Sequence, residues 1–224
     1  MAQINQMSIF KIAALSALPQ FRYQEDQIAI LEREPILGAN AFFEKLLRTQ
    51  IQAKGLVFER CRRHDIENLL AEEIPEKMRF DPFYNLWISD ITSVCEAFGE
   101  LVESPTIAFS LSTERECRRY HKDNVPLRLL LTYSGAGTEW LPDYAADQYA
   151  YENGLPNEKI IKAPEARQFM SNWDIAVFRG GPRGVLHRTP DPALTGRSIL
   201  LRLDHEDFWT SVMKNMSLEP SAVT

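Results

Sequence analysis

Leu127-Arg-Leu-Leu-Leu-Thr-Tyr133, then Ser134-Gly-Ala-Gly137, then Thr138-Glu-Trp-Leu141 is the stretch on which the fold class turns. The first run is too short for an independent helix and is bounded by Pro126 and a double-glycine turn, which marks it as a strand. The second run re-enters at once after the turn, so the two belong to a β-rich body. The same pattern extends in both directions. Thr106–Ser112 and Cys117–His121 precede it; Lys159–Ala163, Ile175–Phe178, Val185–Arg188 and Arg197–Asp204 follow. Pro142-Asp143, Gly154 to Pro156, Gly180-Gly-Pro182 and Pro190-Asp-Pro192 punctuate them. Eight short strands at this spacing predict a sandwich or barrel-like double sheet rather than a parallel α/β fold.

Upstream of residue 105 the period changes to that of helices. Glu25–Glu34 is short and charged. Asn40–Gln52 places Phe42, Phe43, Leu46, Leu47 and Ile51 on one face, and His64–Glu73 does so with Ile66, Leu69 and Leu70. Asp81–Val102 is the longest, with a stripe of Phe83, Leu86, Trp87, Ile91, Val94, Cys95, Phe98 and Leu101, and with Asp81-Pro82 as cap and first turn. The expected architecture is α+β in a single domain, 1–224. A mainly helical part, 1–104, packs its stripes on the outer face of a β core, 105–208, and 209–224 form a loose tail.

Composition excludes several classes. The chain has 224 residues, 45% apolar and 25% charged, which is ordinary globular usage and excludes a disordered or fibrous chain. The net charge of −6 argues against general nucleic-acid binding. No apolar run approaches membrane-spanning length, and Met7 to Leu18 carries Lys11 without a basic segment before it. A cytoplasmic protein is therefore expected, with neither nucleic-acid nor membrane partners. Cys61, Cys95 and Cys117 are odd in number and lack a CxxC spacing, so three reduced, mostly buried thiols are expected.

The residues with chemistry are few. Among four histidines, His121-Lys-Asp123 sets an imidazole and a carboxylate on one face of an extended segment. An H-x-D/E pair alone means little, because His205-Glu-Asp207 supplies a second. The ordered set is more specific: His121 and Asp123, an apolar strand, a glycine-rich turn, then His187 in a late strand and Arg197 opening the last one. His64 and His205 are expected on the surface.

The set His121, Asp123, His187 and Arg197 resembles the iron(II)/2-oxoglutarate-dependent oxygenases, and Trp173-Asp-Ile-Ala-Val-Phe178 resembles the segment that precedes their distal histidine. Cys117-Arg-Arg-Tyr-His121 through Gly137-Thr-Glu-Trp-Leu141 is similar, more narrowly, to an uncharacterised bacterial domain family. The resemblance implies a cupin-like double-stranded β-helix, or jelly roll. It implies Fe(II) on His121, Asp123 and His187, 2-oxoglutarate as cosubstrate, dioxygen, and a small-molecule substrate that is hydroxylated. Two imidazoles and one carboxylate leave coordination positions open, which that chemistry needs. Arg197 would hold the distal carboxylate of 2-oxoglutarate, with Arg128 as a second anion-binding group and Tyr133, Thr132 or Tyr120 as helping hydroxyls. Where the superfamily often has Ser, two residues past the arginine, Ile199 stands, and Arg202 is a rival on the face opposite Arg197. Pro142–Glu158, rich in carboxylates and tyrosines, is expected to be a lid, a substrate wall or a solvated insertion, with Glu139 and Trp140 at its entrance facing substrate. Two other readings are a zinc- or iron-holding accessory protein, with water or Cys117 completing the shell, and a metal-free interaction module.

Overall fold

The computed structural model describes residues 9–115 and 117–208; the expected tail at 209–224 lies outside them. In chain order the elements are β1 (Ile9–Lys11), β2 (Ile28–Leu31), α1 (Ala39–Leu46), β3 (Gln52–Phe58), α2 (Arg62–Ala71), α3 (Glu76–Arg79) and α4 (Pro82–Val102). Then follow β4 (Thr106–Ser112), β5 (Leu127–Ser134), β6 (Glu139–Leu141), α5 (Gln148–Glu152), α6 (Asn157–Ile160), β7 (Gln168–Phe169), β8 (Ile175–Arg179), β9 (Leu186–Arg188), α7 (Asp191–Thr195) and β10 (Ile199–His205).

Two sheets result. The larger runs β1-β2-β8-β5-β10-β4-β3 and is antiparallel except for the β1–β2 pair; the smaller runs β7-β6-β9. Alternation along the large sheet divides the protein. Odd-numbered side chains such as Leu129, Leu131, Val177, Leu201 and Leu203 join Phe43, Trp87, Ile91 and Phe98 of the helices in the main core. Even-numbered ones such as Ile28, Leu130, Ala176 and Phe178 meet Trp140 and Val185 from the small-sheet side. Each large apolar side chain fully withdrawn from water contributes about 1.5–3 kcal/mol, and the larger of the two clusters is the one shared by the helices and the sheet.

Helix α4 forms where its stripe predicts. Asp81 caps it, accepting from Phe83 N at 3.0 Å, and Pro82 occupies the first turn. Asp81→Ala should cost about 1 kcal/mol in chemical denaturation with no change in slope. Leu86 falls off the buried stripe and is 52% exposed. At Gly99 a Cβ would stand 2.6 Å from the Arg62 guanidinium, which donates to Cys95 O at 2.7 Å; the glycine lets α2 dock on α4 with a buried cation.

Several local expectations are corrected. Glu25–Glu34 is not helical: its centre is β2, paired with β8. Residues 40–52 are helical only to Leu46, and Gln52 begins β3. Cys117–His121 is not a strand but a single bridge at His121, and Lys159–Ala163 is the end of α6 and a single bridge at Ile161. Cys95 alone is buried; Cys61 and Cys117 are exposed. The β10–β5 pairing slips by one residue, with Ile199 opposite Ser134 and Leu200 opposite Thr132. No helix among the described residues is long and apolar enough to cross a membrane.

Candidate metal centre

His187 lies in β9, opposite Trp140 of β6. His121 pairs with it as an antiparallel bridge, each backbone N–H donating to the other's carbonyl at 3.0 Å. This brings two residues distant in the chain side by side, with ring centroids 4.5 Å apart. The next pair, Thr189 N to Cys117 O at 2.9 Å, extends the contact. The Phe178 ring packs on His187, with centroids 4.7 Å apart. Asp123 follows in the loop, where its carbonyl accepts from Gly181 N at 2.7 Å. A Cβ on Gly180 would meet Asp123 O at 2.5 Å and Val125 O at 2.0 Å, so only glycine lets the β8 turn support this loop so closely.

The side chains converge. One ligand atom from each of His121, Asp123 and His187 lies within 4.8 Å of the others. Each imidazole has Nδ1 3.0 Å from the carbonyl two residues back, Arg119 O for His121 and Val185 O for His187. A carbonyl can only accept, so Nδ1 carries a proton, and in the neutral ring Nε2 presents its lone pair. Those Nε2 atoms face the carboxylate, at 3.9 Å from Asp123 Oδ1 for His121 and 3.3 Å from Oδ2 for His187. Asp123 Oδ2 is buried and has no hydrogen-bond donor. Two lone pairs and an unsatisfied carboxylate oxygen aimed at one point make an incomplete set of acceptors, which a divalent cation would complete.

The charges suit that role. Burial raises the Asp123 pKa, but His187, when its ring is protonated, and the permanently charged Arg128 outweigh it and hold the carboxyl at about 2, so Asp123 is ionised at neutral pH. Burial, and then the neighbouring His187, lower the pKa of His121, which favours the neutral imidazole that a metal needs. Arg128 donates from Nη1 to Asp123 and from Nε to Asp204 at 2.7 Å, and so fixes the carboxylate from behind.

The centre opens into a cavity of about 200 Å³ between the sheets, lined by His121, His187, Arg128, Arg202, Ser110 and Arg115 among others. A second opening of about 610 Å³, lined by Asp123, Asn124 and Phe208, shares His121 and Arg128. The register sets Ser110 opposite Arg202 across β4–β10, and Lys54 opposite Ser110 across β3–β4.

The other expected site residues divide. Arg128 lies on the cavity face of β5, as an anion-binding group there requires. Arg197 does not reach the cavity: it precedes β10, is exposed, and donates to Leu47 O at 3.2 Å. Arg202, its rival, lines the cavity instead, because the even positions of β10 face inward. Tyr133 has the wrong parity; it lies in the helical core and its hydroxyl donates to Asp90 Oδ2 at 2.7 Å. Glu139 faces away from the centre, wholly buried between Arg167, Arg188 and the Tyr120 hydroxyl. Its neighbour Trp140 faces the space between the sheets, beside His187. The segment 142–158 is no lid: its Ala145, Ala146 and Ala150 pack with Tyr120, Leu141, Ile160 and Leu186 on the outer face of the small sheet. His64 is exposed, and His205 is half-buried at the second opening. Lys54, Ser110 and Arg115 escape the sequence reading, although polar Ser110 and Ser112 alternating in an otherwise apolar strand are a legible sign of a cavity-facing side.

Comparison with known proteins adds the following. No curated protein matches the sequence. Among solved structures, a bsmA homologue from Methylobium petroleophilum PM1 is similar at 10% identity and a TM-score of 0.45, over 89% of this chain and 97% of that one. A prolyl-4-hydroxylase from Pseudomonas putida is similar at 14% identity and 0.39, over 86% and 98%. EvdO2 from Micromonospora carbonacea var. aurantiaca, complexed with 2-oxoglutarate, is similar at 10% identity and 0.41, over 86% and 90%. The family model described as "protein of unknown function (DUF1826)" matches residues 13–204, and the chain belongs to that family.

Proposed function

We propose that this protein is an iron(II)/2-oxoglutarate-dependent oxygenase that hydroxylates a small or polar substrate. The observation that carries the reading is the convergence of one ligand atom each from His121, His187 and the buried Asp123 carboxylate within 4.8 Å, beside a cation-lined cavity. In this reading the two sheets are the halves of a jelly roll, with the metal at its mouth. His121, Asp123 and His187 hold Fe(II) on one side and leave the cavity side open. With 2-oxoglutarate bound, iron would couple dioxygen reduction and decarboxylation to succinate and CO₂ with insertion of one oxygen atom into a substrate C–H bond.

The chain's own residues bind and orient. Arg202, with Ser110 beside it, receives the distal carboxylate of 2-oxoglutarate; its Nε is buried and has no hydrogen-bond acceptor, although Asp204 Oδ2 lies 3.1 Å away. Arg128 keeps Asp123 turned toward the metal. Phe178 and Trp140 wall the histidines and exclude water from that side.

The test is anaerobic addition of Fe(II) and 2-oxoglutarate, followed by air. A weak visible charge-transfer band and then succinate formation are expected. Tight zinc binding with no spectral response to 2-oxoglutarate would identify a metal-holding protein instead. Arg202→Gln should raise the 2-oxoglutarate dissociation constant by about 10–100-fold, the worth of one charged hydrogen-bonding partner, and leave metal affinity unchanged. Calorimetric titration reads both.

A further inference from the structure

We propose that the substrate carries an anionic group, a carboxylate or a phosphate ester, which Arg115 binds in the wall of the cavity beside the metal centre. The inference rests on the reading above for what occupies Arg202, and it begins with the cations of the cavity wall. Arg128 is neutralised by Asp123 and Asp204, and Arg188 by Glu139 and Asp191. Arg202 shares Asp204 with Arg128. Arg115 differs from all three: among the described residues no carboxylate stands within ion-pair distance of it. Its neighbour Glu114 also lines the cavity but is exposed and makes no ion pair with it.

The guanidinium is nevertheless held in place. One Nη donates to Ala136 O and the other to Thr138 Oγ1, both at 2.9 Å. These bonds fasten it to the β5–β6 turn and use two of its five N–H groups. Nε is buried and has no acceptor. Burial lowers the Arg115 pKa to about 10, so the group stays charged at neutral pH and bears its desolvation with no counter-charge. A fixed, half-buried, partly unsatisfied guanidinium in a cavity wall is a preformed half of a two-pronged anion contact. The cosubstrate does not account for it. 2-Oxoglutarate has two carboxylates, one for the metal and one for Arg202. Arg115 is left for a third negative group, and Lys54, exposed at the rim on the same cavity, adds to the attraction.

The probes are sulfate, as a soluble stand-in for a phosphate ester, and acetate, titrated separately into full-length protein loaded with zinc and saturated with 2-oxoglutarate. At least one is expected to bind without displacing 2-oxoglutarate, and which one tells the two sources apart. Arg115→Gln should weaken that binding about tenfold or more while the 2-oxoglutarate dissociation constant moves less than about twofold. Arg115→Lys keeps the charge but loses the two-pronged fork, so it should weaken the binding severalfold; it carries the test if the glutamine variant fails to fold. A purely structural Arg115 would lower the melting temperature and leave anion affinity untouched, which overturns the proposal. So would binding of neither probe at about 10 mM, or strict competition with 2-oxoglutarate. If 2-oxoglutarate itself does not bind but Arg115-dependent sulfate binding persists, the oxygenase reading fails and the anion site stands.

Discussion

Protein held anaerobically with Fe(II), or with Co(II) or Zn(II), at about 100 times the dissociation constant should melt about 5–10 °C higher than metal-free protein, and Asp123→Asn should abolish that rise. A ligand at this excess that binds only the folded state contributes about 2.7 kcal/mol. For a chain of this size each kcal/mol moves the midpoint by about 2–4 °C. The substitution removes the charge but little else. The amide oxygen it introduces can still accept from Arg128, which keeps Asp204 as its second partner at 2.7 Å. The metal-free variant should therefore melt close to the wild type. What is lost is the anionic oxygen that faces the two Nε2 atoms, and two neutral imidazoles alone make a poor site. Equal rises in both proteins would place the metal elsewhere and remove the ground for the oxygenase reading.

Phe43→Ala should be the most destabilising of the single changes considered, costing about 3–5 kcal/mol and lowering the midpoint by about 6–20 °C. Phe43 is 1% exposed. Its ring lies 5.3 Å from Trp87, 5.4 Å from Phe42, 5.6 Å from Tyr133, 5.8 Å from Phe83 and 6.1 Å from Trp173. Those partners come from α1, α4, β5 and the turn before β8, so the cavity left by truncation sits where the helical layer meets the sheet and cannot easily collapse. The metal-induced rise in melting temperature should survive, because His121, Asp123 and His187 lie on the far side of the large sheet. A variant that loses both would show that the two layers are energetically coupled.

Where the sequence is readable, the signal is local. Helix α4 carries its own cap and stripe, and β4, β5, β8 and β10 fall within two residues of their expected limits. His121, Asp123 and His187 are readable because chain order and spacing survive folding. What is not readable depends on pairing or on face. Ile28–Leu31 is a short apolar run among charges, and nothing nearby tells strand from helix; its partner β8 lies far downstream in the chain. Alternation shows that Arg197 and Arg202 face opposite ways, but not which way is inward. Glu139 and Trp140 are adjacent and cannot both face the centre, nor can Thr132 and Tyr133. The helical neighbours of Tyr133 decide its direction, and they lie far upstream.

The slip opposite Tyr133 takes its extra residue from β5 and leaves β10 unbroken, with Ile199 on the same core face as Leu201 and Leu203. These three feed the helical layer, while Arg202 and Asp204 stay at the chemical face. Loss or gain of a single residue within β10 would exchange these roles at one stroke, driving an arginine and an aspartate into oil and two leucines into the wet chamber. Length changes in this part of the protein should therefore be tolerated in the α7 connection, ahead of β10, where a spare residue can be absorbed before the frame is locked.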